Sequence, residues 1–176
     1  MRDSGLGRPF WTLWTAFTAS NLGDGLSLIA LPLLAITLTD DARLVAAVAV
    51  FQYLPYLLIG LPAGVLIDRY DRRWIAIVAQ TARAFVIGGL GVGLLVGSPT
   101  IGVLFVVAFL VGASEVLTDG GLPALVRDLV EPRRLEVANA RLSATQTVTN
   151  AFIGPPVGAL LFQWEASTPF LASALV

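Results

Sequence analysis

The sequence predicts an all-α integral membrane protein, and three observations carry that reading. Of its 176 residues, 56% are hydrophobic and 13% charged, about half the charged share of an ordinary soluble domain, and the mean hydropathy is +0.82. Five apolar runs are each long enough to cross the roughly 30 Å hydrocarbon core of a bilayer as a helix, at about 1.5 Å per residue. The charged residues gather in the short stretches between those runs.

Residues 1–9 form a polar leader with Arg2 and Arg8. The run at about 10–38 is longer than the core of a secretory signal and reads as a retained first span. Trp11 and Trp14 stand near its start, where amphipathic rings favour the headgroup level. Asn21, Asp24 and Ser27 follow at three-residue spacing, on one helix face. Asp40, Asp41 and Arg43 mark a turn before the second span, about 44–67, which contains Pro55, Pro62, Gly60 and Gly64. The two glycines are expected to form a small-residue face on which another helix approaches closely, and the prolines to loosen the backbone. The charged turn Asp68-Arg69-Tyr70-Asp71-Arg72-Arg73 leads at once into the third span, about 74–96, so these two spans are antiparallel neighbours. Arg83 lies well inside the third span. Its run from Gly88 to Gly93 reads as helix packing rather than a nucleotide loop, because no strand precedes it.

The fourth span, about 101–122, carries Glu115 and Asp119 toward its end. A longer connection of alternating charge follows, expected as a short interfacial helix interrupted at Pro132. The fifth span, about 137–162, contains Asn139, Gln146, Asn150 and then Gly154-Pro155-Pro156-Val157-Gly158. Residues 170–176 are the start of a sixth span and cover about a third of a bilayer core, so the chain is expected to stop inside it.

Composition removes several classes of function. With no Cys and no His, there are no disulfides, thiolate nucleophiles, Ser-His-Asp triads or usual zinc and haem ligand sets. The chain is therefore not read as an enzyme, and no catalytic residue, metal site or cofactor is assigned. No basic tract suggests nucleic acid. Arginine placement sets the orientation: Arg2 and Arg8, then Arg69, Arg72 and Arg73, then Arg127, Arg133 and Arg134 fall on one side, against Arg43 alone on the other. By the positive-inside rule the leader and both Arg-rich loops are cytoplasmic, in the inner (plasma) membrane.

Gly64-x-x-x-Asp68-Arg69-x-x-Arg72-Arg73, between the second and third spans, resembles the signature loop of the major facilitator superfamily. The family pattern has Gly where Asp71 stands, and the Asp variant looks like the exporters related to the enterobactin exporter and the macrolide efflux pumps. Ser20-Asn21-Leu22-Gly23-Asp24-Gly25, Leu129-Val130-Glu131-Pro132 and Ala138-Asn139-Ala140 are supporting matches. The segment with Gly154, Pro155 and Gly158 is similar to the fifth-span motif of antiporters, although Arg141 and Asn150 stand where that motif has upstream glycines. The resemblance implies the N-terminal six-helix half of a major facilitator fold, with the sixth helix truncated and a C-terminal half missing.

Each candidate residue has a structural and a functional reading. Arg69, Arg72 and Arg73 are a topology signal; the resemblance adds that Asp68 pairs with Arg72 or docks on the other half as a conformational latch. Asp24 lies roughly 20 Å into the first span at about 1.5 Å per residue. A carboxylate there costs about 2.5–3.5 kcal/mol unless it is paired, lines water or takes a proton. It is either a proton carrier or a structural Asp bonded to Asn21, Ser27 or a neighbouring span. Arg83 lies about 13 Å from the same edge and Glu115 about 10 Å, so Glu115 is the first candidate partner and Asp24 the second, in a structural tie, with contact to substrate as the functional reading. Asp119, four residues after Glu115, is expected mainly to pair with Arg72 or Arg73. Gln146 and Asn150, four apart, line a cavity or bond between helices.

The leading expectation is proton-coupled export of small hydrophobic drug-like or siderophore-like molecules by alternating access, with protons, membrane lipid, a small-molecule substrate and the missing half as partners. The alternative is a truncated membrane protein without transport, or a half that needs a partner chain.

Overall fold

A computed structural model describes residues 5–97 and 99–176. The first four residues, including Arg2, and Ser98 lie outside the described residues. The helix α1, Gly7–Leu38, is continuous through Pro32, and its start is fastened to a later helix by aromatic contacts. Trp14 donates its indole N–H to the Thr145 hydroxyl at 2.9 Å, and the Arg141 guanidinium lies 5.2 Å over the Trp11 ring.

The second span is two helices, α2 (Ala42–Leu58) and α3 (Gly60–Arg69), bent by 52° at Ile59. The reason is local: Pro62 has no N–H for the Leu58 carbonyl, and its ring crowds that oxygen. Asp41 caps α2 by accepting the Arg43 N–H at 2.8 Å. Asp71 does the same for α4, Arg72–Val96, accepting the Arg73 N–H at 2.8 Å. The residue that departs from the signature pattern is thus the N-cap of the third span.

The fourth span is longer than expected. α5 runs over Ile101–Leu129, through Pro123 and past the anticipated end at Leu122. Its extension is held by packing, because Val126 and Val130 sit in a buried cluster with Phe10, Phe17, Ala138 and Leu142. The anticipated interfacial helix shrinks to a single 3₁₀ turn, Pro132–Arg134, begun rather than interrupted by Pro132.

The stretch expected as the fifth span changes pitch along its length. α6, Leu135–Gln146, passes into a π-helical segment, Thr147–Ile153, and then into α7, Gly154–Trp164. Pro155 and Pro156 cannot donate to the carbonyls four residues back, and Gly154 instead donates to Thr149, five back. α8, Thr168–Leu175, is short but integral: Phe170 is fully buried with Leu31, Leu34, Ile87 and Leu104. Among the described residues α1, α4 and α5 are long and apolar enough to cross a membrane, and α2 with α3 makes a fourth when counted as one bent span.

α5 packs between α2 and α4, while α1 packs against α7 and α8. Glycines permit the tightest crossings, though not those the sequence suggested. A Cβ on Gly60 or Gly64 would have no neighbour within 4 Å, so the expected close-packing face is open here. The close approaches are instead Gly112 against the Gln52 carbonyl, where α5 meets α2, and Gly25 against Gly154, where α1 meets α7. Gly158 touches Leu26 in the same α1–α7 contact.

Two stability measurements follow, both by thermal unfolding in detergent. Gly112→Ala should destabilise by about 1–3 kcal/mol, because the new methyl meets a backbone carbonyl, whereas Gly64→Ala should be neutral or stabilise by up to about 1 kcal/mol. Asp71→Ala should cost about 0.5–2 kcal/mol through loss of the α4 cap, and Asp71→Gly only a few tenths.

Candidate functional site

Asp24 stands on α1 beside Gly25, at the level where Gly154 closes on that helix. Arg83 reaches it from α4, with Nη2 2.5 Å from the Asp24 Oδ1. Arg83 is only 4% exposed and the Asp24 side chain 15%, so the pair is held largely out of solvent. In such a place the two charges are tolerable together and costly apart.

The pair is braced by a residue the sequence reading did not single out. Ser173 of α8 donates its hydroxyl to the Gly23 carbonyl at 2.8 Å. Its oxygen accepts from the Ser27 hydroxyl at 2.9 Å and from Arg83 Nη2 at 3.4 Å. One small side chain therefore ties α1, α4 and α8 together around the ions. A single Ser in a seven-residue apolar tail carries no signal of this kind until the helices are assembled.

The expected Arg83–Glu115 pair does not form, and Asp24 takes that place. Depth had ranked the two acids, but depth leaves rotation about the helix axis open. Arg83 points between α1 and α8, whereas Glu115 accepts a hydrogen bond from the Tyr56 hydroxyl of α2 at 3.4 Å. Asn21 is also elsewhere: its amide donates to the Phe17 carbonyl at 2.9 Å within α1. Neither Asn21 nor Ser27 bonds Asp24.

Asp24 opens onto a polar cavity of about 190 Å³, lined also by Leu28, Gln52, Tyr53, Tyr56, Glu115, Asp119, Gln146 and Asn150. The structure thus brings together Asp24, Glu115, Gln146 and Asn150 of the sequence candidates, and Arg83 stands behind Asp24. Gln146 ends α6 and Asn150 lies in the π segment, so the altered pitch sets how these two amides are presented. Gln52, Tyr53 and Tyr56 were not anticipated. The available signal was a lone Gln in an apolar span, with aromatic hydroxyls one and four residues on. Among the described residues, the carboxylates of this cavity do not form a group able to hold a metal ion.

Asp119 belongs to this cavity instead of pairing with Arg72 or Arg73. α5 continues beyond it, so Asp128, two turns and more further on, reaches the signature turn and meets Arg72 at 3.9 Å. Asp68 forms no ion pair among the described residues, and neither do Arg69 and Arg73. Of the fifth-span residues, Gly154 and Gly158 form the close contact with α1, and Pro155 stands at the end of the π segment.

The profile of the Major Facilitator Superfamily matches residues 13–176. An uncharacterized MFS-type transporter of Mycobacterium tuberculosis is 32% identical over 148 residues, 82% of this chain and 33% of that protein. The multidrug efflux pump Tap of the same organism is 30% identical over an alignment of 190 positions, 99% of this chain and 44% of the pump. The chain thus spans between a third and a half of the length of these relatives. No solved structure matches it. A profile match from residue 13 to residue 176, over an all-helical bundle whose signature turn joins its second and third spans, makes this chain a member of the major facilitator superfamily.

Proposed function

We propose that the chain is the N-terminal half of a proton-coupled exporter in the plasma membrane, moving small hydrophobic, drug-like or siderophore-like molecules by alternating access. The observation that carries this is the buried Asp24–Arg83 pair at the wall of a polar cavity. An ionisable pair within a membrane bundle is expensive to keep and marks a pathway for ions or substrate. The similarity to a protein named a multidrug efflux pump supports export and drug-like substrates.

In this reading a proton arriving from the cavity neutralises Asp24 and releases the Arg83 guanidinium, which keeps its contact with Ser173. The tie between α1 and α4 weakens, and α1 is the helix seated on Gly154 and Gly158 of the fifth span. A protonation event is thereby passed to the π segment that carries Asn150. Loss of the proton on the other side restores the pair. Glu115, Asp119, Gln146 and Asn150 supply polar contacts for substrate and protons, and the remaining half supplies the facing wall. Asp68, without an ion pair among the described residues, is the latch toward that half. The leader and signature turn face the cytoplasm, following the arginine asymmetry.

A second reading, a half that works only with a separate partner chain, is favoured by the exposed apolar side chains of α2, α3 and α7. Leu57, Leu61 and Trp164 are each more than 80% exposed. Expressing the chain with and without a C-terminal half separates the two, because rescue by a separately encoded half supports the second.

Two measurements test the coupling site. In the complete transporter, Asp24→Asn should abolish proton release on substrate addition, and undiminished release would sink the assignment. Arg83→Gln should destabilise the bundle by about 3–5 kcal/mol by stranding a buried carboxylate, while Asp24→Asn with Arg83→Gln should recover most of that loss. Equal unfolding temperatures for the single and double variants would show that the pair is not a unit.

A further inference from the structure

The polar cavity holds more acid than the Asp24–Arg83 pair accounts for. Glu115 and Asp119, four residues apart on one face of α5, both line it. The charged groups around it are Asp24, Glu115 and Asp119, with Arg83 behind Asp24 as the single base, and that guanidinium is already engaged by Asp24 at 2.5 Å. When all are ionised, three acids against one base leave two negative charges. Neither Glu115 nor Asp119 forms an ion pair among the described residues. Glu115 accepts from the Tyr56 hydroxyl at 3.4 Å, longer than the roughly 2.5–3.0 Å of a full O–H···O bond. Carboxylates within a membrane bundle need a cation, water or a proton, and no cation of this chain is left to serve these two among the described residues.

A second observation comes from another helix. Gln52 of α2 is only 6% exposed and lines the same cavity. Its carboxamide forms no hydrogen bond among the described residues and is open to the cavity. Buried amides are nearly always bonded, so this one marks a place where a guest supplies the partner. We propose that the cavity takes the protonated amine of an amphipathic cation, with its N–H groups donated to the Glu115 carboxylate and the Gln52 amide oxygen. The proposal rests on the exporter reading above and names the chemical class of its substrate.

Size and lining set the rest of the ligand. At about 190 Å³ the cavity is smaller than the roughly 300–1,000 Å³ of pockets that enclose drug-sized molecules, so it holds a head group and the body lies outside. Tyr53 and Tyr56 line it while remaining 59% and 44% exposed, with ring centroids 6.3 Å apart and planes tilted by 42°. Such rings cover the methylenes beside an ammonium, and their faces attract a cation within about 6 Å. A quaternary ammonium gains the rings and the charge but has no N–H for Gln52. A neutral alcohol bonds Gln52 but leaves both carboxylates without a counter-charge.

The experiment dialyses the full chain in detergent to equilibrium against radiolabelled phenethylamine at neutral pH and constant sodium chloride, counting binding above protein-free micelles. Phenethyl alcohol and phenethyltrimethylammonium are the neutral and N–H-free comparisons. The amine should bind saturably, one per chain, and each comparison at least about tenfold more weakly. Glu115→Gln should weaken the amine about tenfold or more, and Gln52→Leu should shrink its advantage over the quaternary analogue about fivefold. Absence of saturable amine binding means that the cavity holds water alone and overturns the proposal. A quaternary analogue bound as tightly as the amine overturns the hydrogen-bonded head, as does binding that Glu115→Gln leaves unaltered. If either variant fails to fold, the order of the three ligands on the unaltered chain decides. Failure here is separable from failure of the exporter reading. No amine binding alongside Asp24-dependent proton release in the complete transporter removes only the subsite. Amine binding without any transport removes the exporter and leaves the subsite.

Discussion

One carboxylate and one guanidinium, Asp24 and Arg83, form the polar tie at the centre of this bundle, where each charge is costly without the other. Asp24 and Arg83 come from helices separated by a whole span in the chain, and their contact turns the Arg83 face of α4 toward α1, although α4 packs mainly on α5 and α8. Apolar packing alone would leave that rotation weakly determined, because lipid tails are as apolar as leucine. The ion pair supplies direction, and Ser173 adds α8 to the same knot.

The second constraint is backbone proximity. Gly25 and Gly154 let α1 and α7 touch where Asp24 sits, and the consecutive prolines after Gly154 force the preceding turn into π geometry. The antiporter-like segment of the fifth span is thus the seat of the helix that carries the buried acid. Proline chemistry, glycine contact and the cavity's amide side chains converge on one level of the structure.

The sequence made the first four spans legible because hydrocarbon thickness is a strong ruler and the charged turns are sharp. The family was legible for a related reason: Gly64 to Arg73 combines residue types with a position in the topology. Helix rotation was harder to read. Glu115 and Asp24 were both suitable acids for Arg83 by depth, and only the assembled bundle shows which faces the guanidinium. Gly60 and Gly64 had the spacing of a packing face but meet no neighbour, whereas Gly112, an isolated glycine, carries the α2–α5 crossing. Spacing reports which residues share a face, and it does not report what lies opposite. Ser173 and Gln52 were invisible for the complementary reason, since neither belongs to a pattern until helices distant in sequence are brought together.

The Asp24–Arg83 tie also has a history during synthesis. About 60 residues separate the two partners, and at about 5–20 residues per second the ribosome needs roughly 3–12 seconds to bridge them. For that interval the first helix carries its acid without its base, and Ser173 comes later still. Early membrane insertion of this chain is therefore a period in which α1 must keep Asp24 protonated, hydrated or sheltered by the insertion machinery. The order of emergence, not only the finished packing, limits where such a residue can be placed in a chain.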